Sequence, residues 1–104
     1  MADKQISVEE NGQVLAQATI SAANEQGEVC AQVHVASGQL PVGTRQRMAN
    51  AVHEAVTEDE TRRLTATVPI GDVELVEGIG SNLDDVNLRA AGATSIIEGD
   101  VKYR

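Results

Sequence analysis

Apolar and polar residues alternate along the first third of the chain, which is the pattern of half-buried β-strands. The alternation predicts a first strand over about residues 4 to 9, followed by the turn signal Asn11-Gly12. A second alternating segment covers residues 13 to 22, and a third covers residues 29 to 35. The turn from Asn24 to Gly27 separates them. Three strands joined by short turns predict an antiparallel meander.

After the meander the apolar residues recur at intervals of three and four, which is the spacing of one helical face. A helix is therefore predicted from Arg45 to Val56, with the Thr44 hydroxyl as its N-cap. A fourth strand is predicted from Leu64 to Pro69. A two-turn helix should follow, with Asp72 as its N-cap and Gly78 as its C-cap.

The last third of the chain carries two more apolar segments, Val86 to Ala90 and Ala93 to Glu98, on either side of Ala91-Gly92. They are predicted to pair as strands, and helix stays an open alternative for the first of them. The resulting order is β-β-β-α-β-α-β-β. It predicts an α+β two-layer sandwich with a mainly antiparallel sheet of five to six strands. Both helices should cover the face that carries Val14 and Val29.

The opposite face of this sheet is expected to be wet. Its polar residues are Gln17, Thr19, Gln32 and His34.

Size and charge limit the classes of partner. With 104 residues the chain has room for one core, so residues 1–104 are predicted to form a single domain. Acidic residues outnumber basic ones by 16 to 8, and a net charge of −8 repels polyanions. Tyr103 is the only aromatic residue, so a platform for stacking bases is also missing. Nucleic acid is therefore not an expected partner.

Nothing in the sequence indicates secretion or insertion into a membrane. Cys30 is the only cysteine, so no intramolecular disulfide can form. The N-terminus lacks the apolar region of a signal peptide, and no segment approaches the roughly 18 consecutive apolar residues of a membrane span. A cytoplasmic location without a membrane partner is expected.

Few residues are suited to nucleophilic, acid–base or metal chemistry, and the main ones are Cys30, His34 and His53. On one strand Cys30 and His34 would lie about 13 Å apart, which is beyond hydrogen-bond reach. Three such residues are also too few for a structural zinc site, which needs about four ligands. Neither a catalytic set nor a bound metal is predicted.

The order of elements resembles the carboxy-terminal two thirds of the GCN5-related N-acetyltransferase (GNAT) fold. Four segments carry the likeness, namely Val33-His34-Val35, the loop from Leu40 to Arg45, the helix that ends at Val56, and Leu64 to Val68. The stretch from Pro41 through Ala93 is also similar to small uncharacterised actinobacterial proteins, a likeness that implies no mechanism.

The resemblance implies an anion-binding loop. In the family, a Gln/Arg-x-x-Gly-x-Gly/Ala loop binds the pyrophosphate of acetyl-CoA on backbone amides at a helix N-terminus. Here the corresponding candidates are Gly43, Thr44, Arg45 and Arg47. Leu40 stands in the Gln/Arg position, and Arg45 replaces the second small residue, so the motif is matched only in part.

Two functions follow as hypotheses. The first is a noncatalytic interaction or regulatory domain without a cofactor, which binds a protein partner or itself through a sheet edge or its polar face. The second is a reduced acyl-CoA-binding, acetyltransferase-like protein with acetyl-CoA held at Gly43, Thr44, Arg45 and Arg47. The missing catalytic set favours the first.

Overall fold

A computed structural model of the chain describes residues 3–36, 39–58 and 60–103. In these ranges the elements are β1 (Lys4–Glu10), β2 (Gln13–Ile20), β3 (Glu28–Val35), α1 (Thr44–Glu58), β4 (Arg63–Pro69), α2 (Val73–Gly80), β5 (Leu83–Ala91) and β6 (Thr94–Val101). The predicted α+β order is confirmed. The last two elements are both strands, so the helical alternative for the first of them is wrong.

The strands form one six-stranded sheet in the order β1-β2-β3-β4-β6-β5. Strands β3 and β4 are parallel, whereas every other neighbouring pair is antiparallel. A parallel pair needs a long crossover, and α1 supplies it. The predicted mainly antiparallel sheet is therefore confirmed.

Both helices pack on one face of the sheet, where the alternating apolar side chains are buried. The largest fully buried apolar side chains include Ile20, Met48, Leu64, Leu75 and Ile97. Val14 was predicted to lie under the helices but is 48% exposed, because it lies beside the turn at the end of the β1–β2 hairpin. On the opposite face Gln32 and His34 are exposed, as expected.

Local turn chemistry explains both hairpin turns of the meander. Asn11 and Gly12 have φ angles of 53° and 80°, the left-handed conformations that a tight two-residue turn requires. In the next turn the Asn24 side-chain oxygen accepts hydrogen bonds from the amides of Gln26 and Glu28, each at 2.9 Å.

The start of α1 differs from the prediction. Thr44 is the first residue of the helix, and its hydroxyl donates to the carbonyl of Pro41 at 2.8 Å. Its side chain is buried there. The Thr44 hydroxyl is therefore not an N-cap that accepts a bond from α1.

The end of α2 also differs from the prediction. Asp72 is the N-cap, as expected, but the helix continues past Gly78 to Gly80. A Cβ on Gly78 would lie 2.9 Å from the Cβ of Ala49, closer than side chains pack. Gly78 is thus explained by the close contact between α2 and α1 rather than by a helix end.

The carboxy-terminal segment is fixed by Tyr103, whose hydroxyl donates to the carbonyl of Thr61. Burial raises the pKa of Tyr103 above its ordinary value of 10.0, and the negative charge of Glu60 raises it further. The hydroxyl of Thr61 is buried without a hydrogen-bond partner among the described residues.

Neither α1 nor α2 is long and apolar enough to cross a membrane, and they are the helices in the described ranges.

Candidate functional site

The parallel strands β3 and β4 separate at their carboxyl ends. Their pairing stops at Gln32 and Thr67, although β3 continues to Val35 and β4 continues to Pro69. Each strand keeps its other neighbour, because β3 stays paired with β2 up to Val35 and β4 stays paired with β6 up to Pro69. The sheet therefore opens between two otherwise regular strands.

Pro69 accounts for the opening. The backbone groups of alternate residues in a strand point to the same neighbouring strand. The carbonyl of Arg62 and the amide of Ile70 form hydrogen bonds on the β6 side of β4. The odd-numbered residues from 63 to 69 therefore direct their amides to the other side, toward β3. Pro69 has no N–H to donate across the gap to Val33, so the ladder ends there.

The opening forms a cleft of about 390 Å³. Its lining residues are Gln32, Val33, His34, Thr67, Pro69, Ala93 and Thr94. None of these residues is an Asp, Glu, Lys or Arg, and His34 supplies the imidazole of the lining. The cleft is thus a neutral, hydrogen-bonding site beside one imidazole.

The first turn of α1 lies after the carboxyl end of β3. The amide of Thr44 bonds to the carbonyl of Pro41 at 3.2 Å, and the amide of Arg47 bonds to the carbonyl of Gly43 at 2.9 Å. The amides of Arg45 and Gln46 have no hydrogen-bond acceptor within the described ranges. Two unpartnered amides at the positive end of a 15-residue helix attract anions.

A carboxylate joins this turn to the start of α2. The guanidinium Nε of Arg45 lies 2.8 Å from Oδ2 of Asp72, and the other oxygen of Asp72 accepts the amide of Leu75 at 3.1 Å. The Asp72 side chain is only 9% exposed. The positive charge of Arg45 is therefore balanced in the absence of a ligand.

The four predicted anion-binding residues thus have different surroundings. Gly43, with a φ of 89°, Thr44 and Arg45 lie together at the start of α1. Arg47 is directed to Glu10, with 4.0 Å between Nη1 and the carboxylate, and both side chains are about half exposed. The Thr44 hydroxyl already donates to the carbonyl of Pro41. The backbone amides of this turn are therefore the main groups that could hold an anion.

The cleft itself was not predicted from the sequence. Gln32, Thr67 and Thr94 belong to three different strands and become neighbours only through the strand order. One local signal was available in Pro69, which was interpreted only as the end of β4.

Comparison with protein-family models and with curated proteins finds no match. Solved structures do match. The yncA protein of Salmonella typhimurium, with its cofactor acetyl-CoA, is 11% identical with a TM-score of 0.68 over 98% of this chain and 66% of that one. The GNAT-family acetyltransferase of Streptococcus pneumoniae is 12% identical, also with a TM-score of 0.68, over 96% and 67%. The aminoglycoside acetyltransferase AAC(6')-Ib, in complex with coenzyme A and kanamycin, is 13% identical with a TM-score of 0.61 over 92% and 65%.

The chain therefore has a GCN5-related N-acetyltransferase-like fold, as the sequence resemblance indicated. It spans 65 to 67% of the length of these three structures.

The expectation of a chain without a cofactor is wrong. The yncA structure contains acetyl-CoA and the AAC(6')-Ib structure contains coenzyme A, which points to an acyl-CoA rather than to none. The described residues fit such a group, because a neutral cleft and two unpartnered helix amides follow the ends of the same parallel strands.

Proposed function

We propose that the chain binds an acyl-coenzyme A, with the pyrophosphate at the first turn of α1 and the acyl-pantetheine arm in the cleft between β3 and β4. The observation that carries this proposal is the separation of the parallel strands beside a helix start with two unpartnered amides. Arg45 of that helix start and Pro69 of the opening line one surface pocket. Ligands of open sheets with parallel strands bind outside the carboxyl ends of those strands, which is where both features lie.

The cleft suits an extended arm that contains amide groups. In and beside β3, the carbonyl of Cys30 and the amide of Ala36 bond toward β2, so the backbone of Val33 and Val35 is directed toward the opening. Beyond Thr67, the next residue of β4 that is directed toward β3 is Pro69, which has no N–H. The β3 backbone therefore has no amide partner on β4 there. An extended ligand can pair with the free strand edge as an added strand does.

The first turn of α1 suits a pyrophosphate. The amides of Arg45 and Gln46 can each donate to a phosphate oxygen, and the helix dipole adds to the attraction. Arg45 lies beside them and can turn from Asp72 to the ligand. Because the whole chain has a net charge of −8, affinity must come from these local donors.

Acyl transfer to an amine is the second candidate function, and His34 is the observation that favours it. When an amine attacks a thioester carbonyl, a C–N bond forms, the C–S bond breaks and coenzyme A leaves as its thiolate. The amine must also lose a proton, which a side chain within reach of the reacting atoms can accept. His34 belongs to the cleft lining, a nitrogen of its imidazole ring can accept a proton, and the side chain is exposed on the polar face, from which an amine can enter.

The proposal is tested by thermal unfolding of the protein with coenzyme A and with acetyl-CoA. A ligand at about 100 times its dissociation constant adds about 2.7 kcal/mol of stability, which raises the Tm of a domain of this size by roughly 10 to 20 °C. No change in Tm with either compound at millimolar concentration would contradict the proposal.

A pair of matched variants locates the site. Arg45→Gln should weaken coenzyme A binding about tenfold, the lower end of what a charge-assisted hydrogen bond contributes. Arg62→Gln is the control, because Arg62 lies at the opposite end of β4 and donates to the carbonyl of Gln26. Equal effects of the two substitutions would show that binding reflects general charge rather than this site.

A further inference from the structure

An apolar surface lies on the helix side of the sheet, opposite the polar face on which Gln32 and His34 are exposed. It is a groove of about 340 Å³ between the outer side of α2 and the end of the β5–β6 hairpin. Val73 and Val76 form its helix wall, and Leu88 forms its sheet wall. Val73 and Leu88 are 63% and 54% exposed, although both are large apolar residues.

The groove exists because α2 does not cover the edge strand. Leu88 of β5 is paired with Ile97 of β6, so their side chains are on the same face of the sheet. Ile97 is fully buried under the helices, whereas Leu88 is not. Ile70, two residues before the N-cap of α2, is also more than half exposed.

The rim of the groove is acidic. Glu77 lines it, and Glu74 lies on the exposed side of the same helix. In the part of the chain that the structure describes, neither carboxylate has an ion pair or a side-chain hydrogen bond. Asp72 also lines the groove, but its charge is balanced by Arg45.

We propose that this groove binds a short basic segment of a partner protein, with two apolar side chains between Val73, Val76 and Leu88 and with Lys or Arg residues beside Glu74 and Glu77. The groove wall from Val73 to Glu77 is one helical turn, about 6 Å long. Alternate side chains of an extended segment are about 6.6 Å apart, so two of them match this wall.

Charge complementarity selects this occupant over a second copy of the chain. In a symmetric dimer, the same surface patch lies on both sides of the interface. Two such grooves would bring the carboxylates of Glu74 and Glu77 from both copies into one interface, in a chain whose net charge is already −8. A basic segment instead pairs with both carboxylates and covers the apolar walls.

Three synthetic pentapeptides, titrated into the isotope-labelled full chain and followed by amide chemical shifts, test this proposal. In the first, two Leu alternate with three Lys; in the second, the Lys are replaced by Glu; in the third, the Leu are replaced by Ala. The first should shift the amides around Val73, Val76 and Leu88. The other two should bind at least about tenfold more weakly, because each lacks either the charges or the apolar contacts.

Two variants and one physical measurement complete the test. Glu74→Gln with Glu77→Gln should weaken the Leu–Lys peptide about fivefold at low salt, and Leu88→Ser should abolish the shifts at the groove. Equal binding of the Ala–Lys peptide, or shifts confined to other surfaces, would overturn the proposal. A dimer in light scattering that Leu88→Ser dissociates would also overturn it and would assign the groove to a second copy.

Discussion

Substitution of Asp72 probes how the starts of α1 and α2 are held together. Its Oδ1 accepts the amide of Leu75 at 3.1 Å, and its Oδ2 lies 2.8 Å from Nε of Arg45. Asp72→Ala removes both interactions, whereas Asp72→Asn keeps a good N-cap and removes the charge. The difference between the two variants therefore isolates the cap.

The expected magnitudes follow from these two contacts. Loss of the cap costs about 1 kcal/mol. The ion pair with Arg45 should contribute about 1 kcal/mol, because Asp72 is nearly buried but Arg45 is 30% exposed, which places the pair at the upper end of the surface range. Asp72→Ala should thus lower the free energy of unfolding by about 2 kcal/mol, and Asp72→Asn should lower it by about 1 kcal/mol.

Urea unfolding at neutral pH measures the loss of stability in both Asp72 variants. Arg45→Ala and the double variant Asp72→Ala with Arg45→Ala complete a double-mutant cycle, which gives the coupling energy between the two side chains. Equal losses for Asp72→Ala and Asp72→Asn would refute the capping role. A coupling energy near zero between Asp72 and Arg45 would refute the ion pair as a stabilising contact.

The same Asp72→Asn variant has a consequence for binding. It releases Arg45 from its carboxylate partner and removes a negative charge beside the proposed pyrophosphate site. Coenzyme A should therefore bind to Asp72→Asn at least about threefold more tightly than to the unaltered protein. This difference in affinity should become smaller as salt is added. Weaker binding by this variant, measured by titration calorimetry, would contradict the placement of the anion beside Arg45.

Three further substitutions test the packing described above. Gly78→Ala should destabilise the fold by about 1 to 2 kcal/mol in urea unfolding, because its Cβ would meet that of Ala49 at 2.9 Å. Thr61→Val should stabilise it by about 1 kcal/mol, since it removes a buried hydroxyl without a partner among the described residues, whereas Thr61→Ser should not. Because the pKa of Tyr103 is raised in the folded chain, a rising pH deprotonates this tyrosine in the unfolded chain first. Its contribution to stability is therefore retained below pH 10.0 and falls as the pH rises above that value. Tyr103→Phe should flatten that fall in unfolding experiments between about pH 9 and 11.

Short-range patterns were sufficient to predict most of the fold. Alternation located the strands of the meander, and the Asn11-Gly12 turn was predicted because its chemistry is local. The helix period located α1, and Asp72 was recognised as an N-cap from its position before an apolar segment. Each of these signals is contained within about ten residues of sequence.

The candidate site depends on contacts between distant parts of the sequence, which is why it was predicted only in part. The first turn of α1 was predicted as a candidate anion site, yet its Arg45 is paired with Asp72, 27 residues away. The cleft requires knowing which backbone groups of β4 are directed at β3, and this follows only from the strand order. Gly78 was misinterpreted as a helix end for the same reason, since its contact is with a different helix.

The most direct test of the acyl-CoA proposal is a titration of the isotope-labelled chain with acetyl-CoA, followed by amide chemical shifts. Saturable changes are expected in two groups of amides, those from Gly43 to Arg47 and those of the cleft residues Gln32, His34 and Thr67. The absence of changes at millimolar acetyl-CoA, or changes confined to residues outside these two groups, would contradict the proposal.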